Sequence, residues 1–233
     1  IMCQLINDRK VLIRLLCLAA VATIADSVPL TYENRRIVRY GLHYMTDMGY
    51  ATTGLFALLS LCDYNEYVSE TDIGFKIAPC LNAPGRLYDD GAKQSFLLMS
   101  FEGGLREAKL MAEKQLTDNE KRKELSDEWT KKINEQIQKE HLEADNPMTI
   151  YVPGVPEGII GIIAGRIAEE RHTPCILLGD AEQAGVLKGS ARSSGGVHLY
   201  NLLKTGEPYL LRFGGHAPAA GLSLKVENLN AFR

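Results

Sequence analysis

From Leu105 to His141 the chain runs 37 residues without a glycine or a proline, and no other feature limits its folding choices as much. A run of that length with no breaker predicts one long helix, or two in tandem. Its nine basic and nine acidic side chains balance. Leu125, Trp129, Ile133 and Ile137 recur every four residues, a narrow apolar stripe on an otherwise solvated rod. The stripe is too short for the sustained heptads of a coiled coil. The segment therefore reads as a connecting helix lying on one or both of the regions it joins.

Those two regions differ in pattern. Before the long run, apolar periodicity predicts successive helices over Lys10–Ile24, Glu33–Met48, Gly54–Leu61, Thr71–Ile77 and Ala92–Phe101, with Gly49, Pro79, Pro84 and Gly103-Gly104 as punctuation. After Asn146-Pro147 the pattern becomes strand, helix, strand: Met148–Val152, Gly158–Glu170 and Pro174–Leu178, with a third strand through Gly185–Lys188. That alternation marks an α/β domain with at least some parallel pairing. The expected organisation is a helical region over 1–103, a connecting helix over 104–146 and a smaller α/β domain over 147–233.

Composition narrows the function classes. With 233 residues, 45% hydrophobic and 24% charged, the chain is globular and not disordered, collagenous or a disulfide scaffold. Its formal net charge of −3 excludes coating of duplex DNA by bulk charge, while leaving room for a localised basic groove. Cys3, Cys17, Cys62, Cys80 and Cys175 are widely spaced, with no CxxC pair, which argues against a zinc site or a disulfide framework and for a reducing, cytoplasmic setting. Arg9-Lys10 followed by Val11–Ala25 imitates a targeting segment, but Arg14 interrupts it. The uncharged part is shorter than the roughly 20 apolar residues a bilayer demands, so a buried helix is expected and no membrane partner. A chain that opens on Ile1 and enters a helix almost at once is expected to be part of a longer protein.

Three glycine-containing clusters could carry chemistry: PEGIIGIIAGR (Pro156–Arg166), KGSARSSGG (Lys188–Gly196) and RFGGHAPAAG (Arg212–Gly221). Glycine removes the Cβ that keeps an anion from backbone N–H groups, serine and arginine donate hydrogen bonds, and a helix N-terminus adds a favourable dipole. Together they suggest a phosphate or nucleotide site; singly, Gly195-Gly196 and Gly214-Gly215 read equally as turns. His216, directly after two glycines, is expected on exposed backbone. His43, His141, His172 and His198 have ordinary surface or helix-end contexts. Asp26, at the end of an apolar helix, is either a cap or a metal ligand. In APCLNAPGRL (Ala78–Leu87), Asn82 and Arg86 are expected between helices, presenting a guanidinium to a phosphate.

TIADSVPL, ENRRIVRYGL, DIGFKIAPCLNAPGRL, EGIIGIIAGRIAEE, KGSARS and FGGHAPAAG resemble, in order and spacing over nearly the whole chain, the RecJ single-strand-specific exonucleases of the DHH phosphoesterase superfamily. The resemblance implies the helical remainder of a DHH catalytic domain, a long helix, and a DHH-associated substrate-binding domain. It implies a manganese- or magnesium-dependent, two-ion hydrolysis of single-stranded DNA from the 5′ end, in DNA repair and recombination, with a single-strand-binding protein or a helicase as protein partner. By the same resemblance Asp26 matches the last metal-binding aspartate. Asn82 and Arg86 match a substrate-side string. Ser190, Arg192, Gly214, Gly215 and His216 match the residues that hold nucleotide or phosphate, with Lys188 beside them along the backbone.

The chain departs from the family pattern in three places. The Asp-rich strand end and the Asp-His-His triplet are absent, and there is no HH dipeptide, so the parallel sheet of the catalytic domain is expected to precede residue 1. Cys80 stands where the family has arginine, and Pro156 where it has histidine or asparagine. Asp26 alone cannot hold two ions, so these 233 residues are expected to bind nucleotide without hydrolysing it. Two other readings are a phosphodiesterase of short oligonucleotides or cyclic dinucleotides, and a catalytically inactive replication scaffold that binds nucleic acid.

Overall fold

The computed structural model describes residues 8–63 and 67–233; Cys3 lies outside the described residues. Asp8 opens the first helix, its carboxylate accepting from Lys10 N at 2.8 Å and Val11 N at 3.3 Å. Helix α1 follows over Arg9–Ala25, α2 over Tyr32–Met45 and α3 over Thr53–Leu61. Thr52 caps α3 by accepting from Leu55 N at 3.0 Å. The α1–α2 contact is close because Gly41 has no side chain: a Cβ there would lie 2.3 Å from Ala20 Cβ and 2.8 Å from the Leu16 carbonyl oxygen.

The stretch from Glu70 to Leu87 corrects the sequence reading. Pro79 and Pro84 predict breaks, yet α4 (Glu70–Asp72) passes through a π turn (Ile73–Ile77) directly into α5 (Ala78–Leu87). Pro79 falls in the first turn of α5, where a missing N–H costs little, and Pro84 gives up one hydrogen bond inside the helix. Asn82 and Arg86 are thus not in a linker; they sit one helical turn apart on α5, both exposed. The entry is fixed by a reciprocal cap in which Ser69 N and Oγ donate to Asp72 Oδ2 at 3.0 and 2.6 Å while Asp72 N donates to Ser69 Oγ at 3.2 Å.

Helix α6 (Gly91–Met99) precedes α7, which runs unbroken over Leu105–Glu140, the first of the two arrangements that the glycine-free run allows. Two compact units divide the chain, one up to Lys121 and one from Arg122, so the boundary falls inside α7. In the first unit the core gathers Met45, Leu55, Leu58, Ile73, Ile77 and Leu98, with Ala108 and Ala112 of α7 buried against it. Cys17 is fully buried there, and burial pushes its thiol up to about 11.

The second unit is α/β, as expected. Strands β1 (Met148–Tyr151), β2 (Cys175–Asp180), β3 (Val186–Arg192), β4 (Leu210–Gly215) and β5 (Ala219–Lys225) form a sheet of order β1-β2-β3-β5-β4. Only β1 and β2 pair in parallel, around helix α8 (Glu157–Arg171); the other neighbours are antiparallel. On one face α8 and the α7 residues Ile133 and Ile137 cover Met148, Ile150, Cys175 and Leu177, with Leu125 and Trp129 packed alongside. The four-residue stripe on α7 thus serves this face. On the other face α9 (Leu199–Thr205) and α10 (Leu229–Phe232) pack against Ile176, Leu178, Leu187, Ala191, Leu222 and Leu224. Cys175, wholly enclosed, has its thiol pushed up to about 12 by burial. Cys17, Cys62, Cys80 and Cys175 are all free thiols, and among the described residues no helix is long and apolar enough to cross a membrane.

Gly41→Ala should destabilise the chain by about 1–2 kcal/mol in urea unfolding, because the clash with α1 outweighs the helix-propensity gain of about 1 kcal/mol. The Asp72 carboxyl is held down to about 2, first by Lys76, whose ammonium lies 2.8 Å away, and then by the Ser69 hydrogen bonds. A depressed carboxylate stabilises above its unfolded value and loses that contribution as pH falls through its folded one. Asp72→Asn should therefore unfold more easily than the parent at neutral pH, the difference closing between about pH 4 and pH 2.

Candidate functional site

Strand registry sorts one face of the second unit's sheet into two halves. Cys175 pairs with Arg192 and Leu177 with Ser190, so these side chains share a face, as alternation along each strand requires. The same face continues through Arg192↔Ala219, Ser190↔Gly221 and Lys188↔Ser223, and then Gly214↔Gly221 and Arg212↔Ser223. Under β1 and β2 it is apolar and covered. Across β3, β5 and β4 it carries Lys188, Ser190, Arg192, Ser223 and Arg212 over a floor of Gly221 and Gly214. A Cβ at Gly214 would meet nothing within 4 Å, so that part of the floor is open.

Helix α8 borders this polar half at close range. A Cβ on Gly161 would lie 2.5 Å from Arg192 Nη2 and 3.2 Å from Ser190 Oγ, and one on Gly165 would lie 3.8 Å from Arg192 Cγ. Glu157, Gly161 and Gly165 stand at four-residue intervals on α8, matching the two-residue intervals of Lys188, Ser190 and Arg192 on β3. Lys188 pairs with Glu157 at the first rung. At the next two, glycine clears space for the guanidinium. Arg192 Nη1 donates to Ser190 Oγ at 2.6 Å and to the Ala191 carbonyl at 2.9 Å. Ser190 is only 8% exposed, and its hydroxyl keeps its own proton to donate. A buried hydroxyl beside a guanidinium is chemistry suited to an anion with several oxygens.

The two glycine loops meet at the Arg192 end of β3. Ser193 N donates to the Pro218 carbonyl and Leu199 N to the Ala217 carbonyl, both at 3.0 Å, while His216 N donates to the Ala219 carbonyl at 2.8 Å. Gly195 and Gly196 have φ of +65° and +79°, so the turn reading of that pair holds. Gly214 and Gly215, by contrast, lie in β4 and are not a turn. Gly215 has φ of +149°, and a Cβ there would come 2.4 Å from the Ala219 carbonyl oxygen. His216 is exposed at the end of this strand, as its glycine neighbours suggest.

The remaining sequence candidates belong to the first unit. Asp26 is exposed at the C-terminal end of α1, its N–H donating to the Ala22 carbonyl at 3.0 Å. Asn82 lines an apolar groove of about 290 Å³ with Ala22, Ala25, Leu81 and Phe96. Among the described residues no three His, Cys, Asp or Glu side chains come together as a metal centre. Asp26 therefore offers a lone carboxylate where a two-ion site needs several, and the residues present do not fit the ions. Cys80 is buried, with Asn119 Nδ2 donating to its sulfur at 3.5 Å, a packing role and no surface phosphate contact. Pro156 occupies the N-cap of α8.

Sequence reasoning did not assign Gly161 its clearance role, nor Arg212 and Gly221 their places on the open face. The Glu157–Gly161–Gly165 spacing was the available signal. Strands β4 and β5 were not expected either, because Leu210–Gly215 lacks an apolar alternation.

Residues 145–233 match the DHHA1 domain model. The chain is 36% identical over 221 residues to the single-stranded-DNA-specific exonuclease RecJ of Bacillus subtilis, covering 94% of this chain and 27% of that protein. It is 34% identical over 230 residues to the Escherichia coli protein of the same description, covering 95% of this chain and 39% of that one. The crystal structure of Thermus thermophilus RecJ with Mn2+ superposes with a TM-score of 0.80 at 29% identity, over 94% of this chain and 31% of that one. The chain thus spans well under half the length of the curated relatives it matches.

Gly161→Ala separates stability from ligand binding. The new methyl meets the mobile end of Arg192 and replaces glycine in a helix, so thermal stability should hold or rise by up to about 1 kcal/mol. Displacement of the guanidinium should at the same time weaken binding of a phosphate monoester by about ten-fold, read by calorimetric titration.

Proposed function

We infer, from a DHHA1 domain at residues 145–233 in a chain that is RecJ-like over 94% of its length, that these residues are the nucleotide-holding part of a single-strand-specific DNA exonuclease. The observation that carries this reading is the Ser190–Arg192 pair held beneath Gly161. A terminal phosphate placed there would accept from the Ser190 hydroxyl and from the guanidinium. The glycine floor at Gly214 and Gly221 would let a sugar or base approach the backbone. The exposed His216 at the rim would add a further polar contact.

Lys188 takes a smaller part. Its ion pair with Glu157 engages the ammonium at the start of α8 and offsets its charge, so Arg192 makes the specific bonds. Arg86 and Asn82, exposed on α5, are the substrate-side groups of the first unit in this reading. In this reading the phosphate taken is a 5′-terminal one, as the resemblance to the RecJ exonucleases implies.

Hydrolysis belongs to the whole protein. The relative from Thermus thermophilus was crystallised with Mn2+, and we assign manganese or magnesium to the complete enzyme, where such ions would activate water and stabilise the leaving oxygen. No bond-breaking step is drawn on the residues of this chain, since Asp26 stands alone. The DNA-repair role, the cytoplasmic location, and a single-strand-binding protein or helicase as partner follow from the same family reading.

The purified 233-residue chain should bind 5′-dTMP and leave 5′-labelled single-stranded DNA intact in manganese. Arg192→Ala should lose about 2 kcal/mol, roughly 30-fold in affinity, and Arg192→Lys should fail to restore it, because an ammonium cannot reproduce the fork that holds both Ser190 and a phosphate. Equal affinity for 5′- and 3′-dTMP would remove the 5′ assignment. Tighter binding of a cyclic dinucleotide than of 5′-dTMP would favour a phosphodiesterase of the same superfamily.

A further inference from the structure

The first unit holds a second concentration of chemistry that the phosphate face does not use. Helix α2 carries Arg35, Arg36 and Arg39 against a single acidic residue, Glu33, in a chain whose net charge is −3. All three arginines are exposed, and none forms an ion pair or hydrogen bond with a described residue. Two arginines elsewhere are paired, Arg14 with Glu102 at 2.9 Å and Arg166 with Asp127 at 2.6 Å. A solvated helix face ordinarily sets opposite charges four residues apart. Here Arg35 and Arg39, one turn apart, repeat the same sign.

Two adjoining clefts run along this helix, of about 430 and 510 Å³, and share Arg39 and Leu42. Arg35 lines the first; Tyr40, His43, Tyr44 and Tyr67 line the second. Glu70 adds one negative charge to the first cleft. Tyr44 is fixed between neighbours, edge-on to His43 at 4.8 Å and to Tyr50 at 5.1 Å between ring centroids. Tyr40 and Tyr67 are 51% and 75% exposed, leaving ring surface available. On the same helix Tyr32 is 86% exposed and held at φ of +45°, a backbone conformation that costs an aromatic residue energy.

Arg35 and Arg39 in the first cleft, followed by Arg39 beside the exposed rings of Tyr40 and Tyr67 in the second, match a chain of phosphates and bases. The phosphates pair with arginine and the bases stack on tyrosine without regard to sequence. An acidic protein segment would use the arginines but leave the tyrosines without a flat partner. We propose that the groove along α2 is a track for single-stranded nucleic acid, additional to the phosphate face on β3. The proposal rests on the exonuclease reading for its choice of occupant.

The test is fluorescence anisotropy on the 233-residue chain with a labelled oligothymidylate of about 12 nucleotides, within the usual range of single-strand grooves, alongside titration with 5′-dTMP. Arg35→Ala/Arg39→Ala should weaken oligonucleotide binding at least ten-fold at low salt. It should also reduce the slope of log affinity against log salt by about 1.4, at roughly 0.7 per phosphate contact on a single strand. Tyr40→Ala should lose about five-fold or more, and Tyr40→Phe should retain parental affinity because the ring is kept. None of these variants should change 5′-dTMP binding, whereas Arg192→Ala should weaken it roughly 30-fold. If 5′-dTMP binds and the arginine variant holds the oligonucleotide as tightly as the parent does, the track is refuted and the phosphate face stands. If the oligonucleotide binds through α2 while 5′-dTMP does not bind, the phosphate face fails and the track stands. Polyglutamate binding as tightly as the oligonucleotide, with Tyr40→Ala silent, would overturn the choice of nucleic acid.

Discussion

A helix can lie against a strand that carries an arginine only by giving up its own side chains at the point of contact. At Gly161 that condition is met with 2.5 Å between an absent Cβ and the guanidinium, and the polar half of the β3 face depends on it. With any larger residue there, Arg192 would have to move away from Ser190, and the hydroxyl would lose the donor beside it. The same helix buries Ile159, Ile163 and Ile167 against the apolar half. One element therefore does two things at once: its isoleucines anchor it to β1 and β2, and its glycines leave room for charge on β3.

The long helix poses a related problem of mixed surroundings. Its first part meets the core of the first unit through Ala108 and Ala112, and its last part meets the second core through Ile133 and Ile137. Between them lie buried polar residues. Gln115 Oε1 accepts from Ser95 Oγ at 3.1 Å and Asp118 Oδ1 from Tyr88 at 2.9 Å. Ser126 and Thr130 return their protons to carbonyls one turn back, at 2.8 and 2.7 Å. Such back-bonding lets hydroxyls be buried in a helix without partners on another element. Ser95 and Tyr88 of neighbouring segments and the helix's own carbonyls thus share the cost of desolvation, while Asp118 Oδ2 is buried with no hydrogen-bond partner among the described residues.

The two candidate surfaces rest on different physics. On β3 a few groups converge on one point, and in the proposed reading a phosphate there would accept from the buried Ser190 hydroxyl. Along α2 the arginines are solvated and the rings open, which suits a polymer whose repeating charges are read cumulatively and weaken with salt. The net charge of −3 conceals the second arrangement, since acidic side chains elsewhere cancel it in the sum.

Much of this was legible from the residues alone. The glycine- and proline-free run predicted one long helix or two in tandem, because nothing in it marks a break in the hydrogen-bond ladder, and the structure shows one. The alternation after Pro147 dictated an α/β unit, and short glycine-rich strings marked where backbone would be exposed. Two things were decided only by tertiary structure. Pro79 and Pro84 read locally as breaks, but a π turn ahead of them and the packing of Ile73 and Ile77 into the first core carry the helix through. Likewise, Lys188, Ser190, Arg192, Gly161, Gly214 and Gly221 become one face only through strand registry and helix docking. Local propensity records what each residue does to its own backbone, whereas which side chains share a surface is fixed by pairings between segments far apart in the chain.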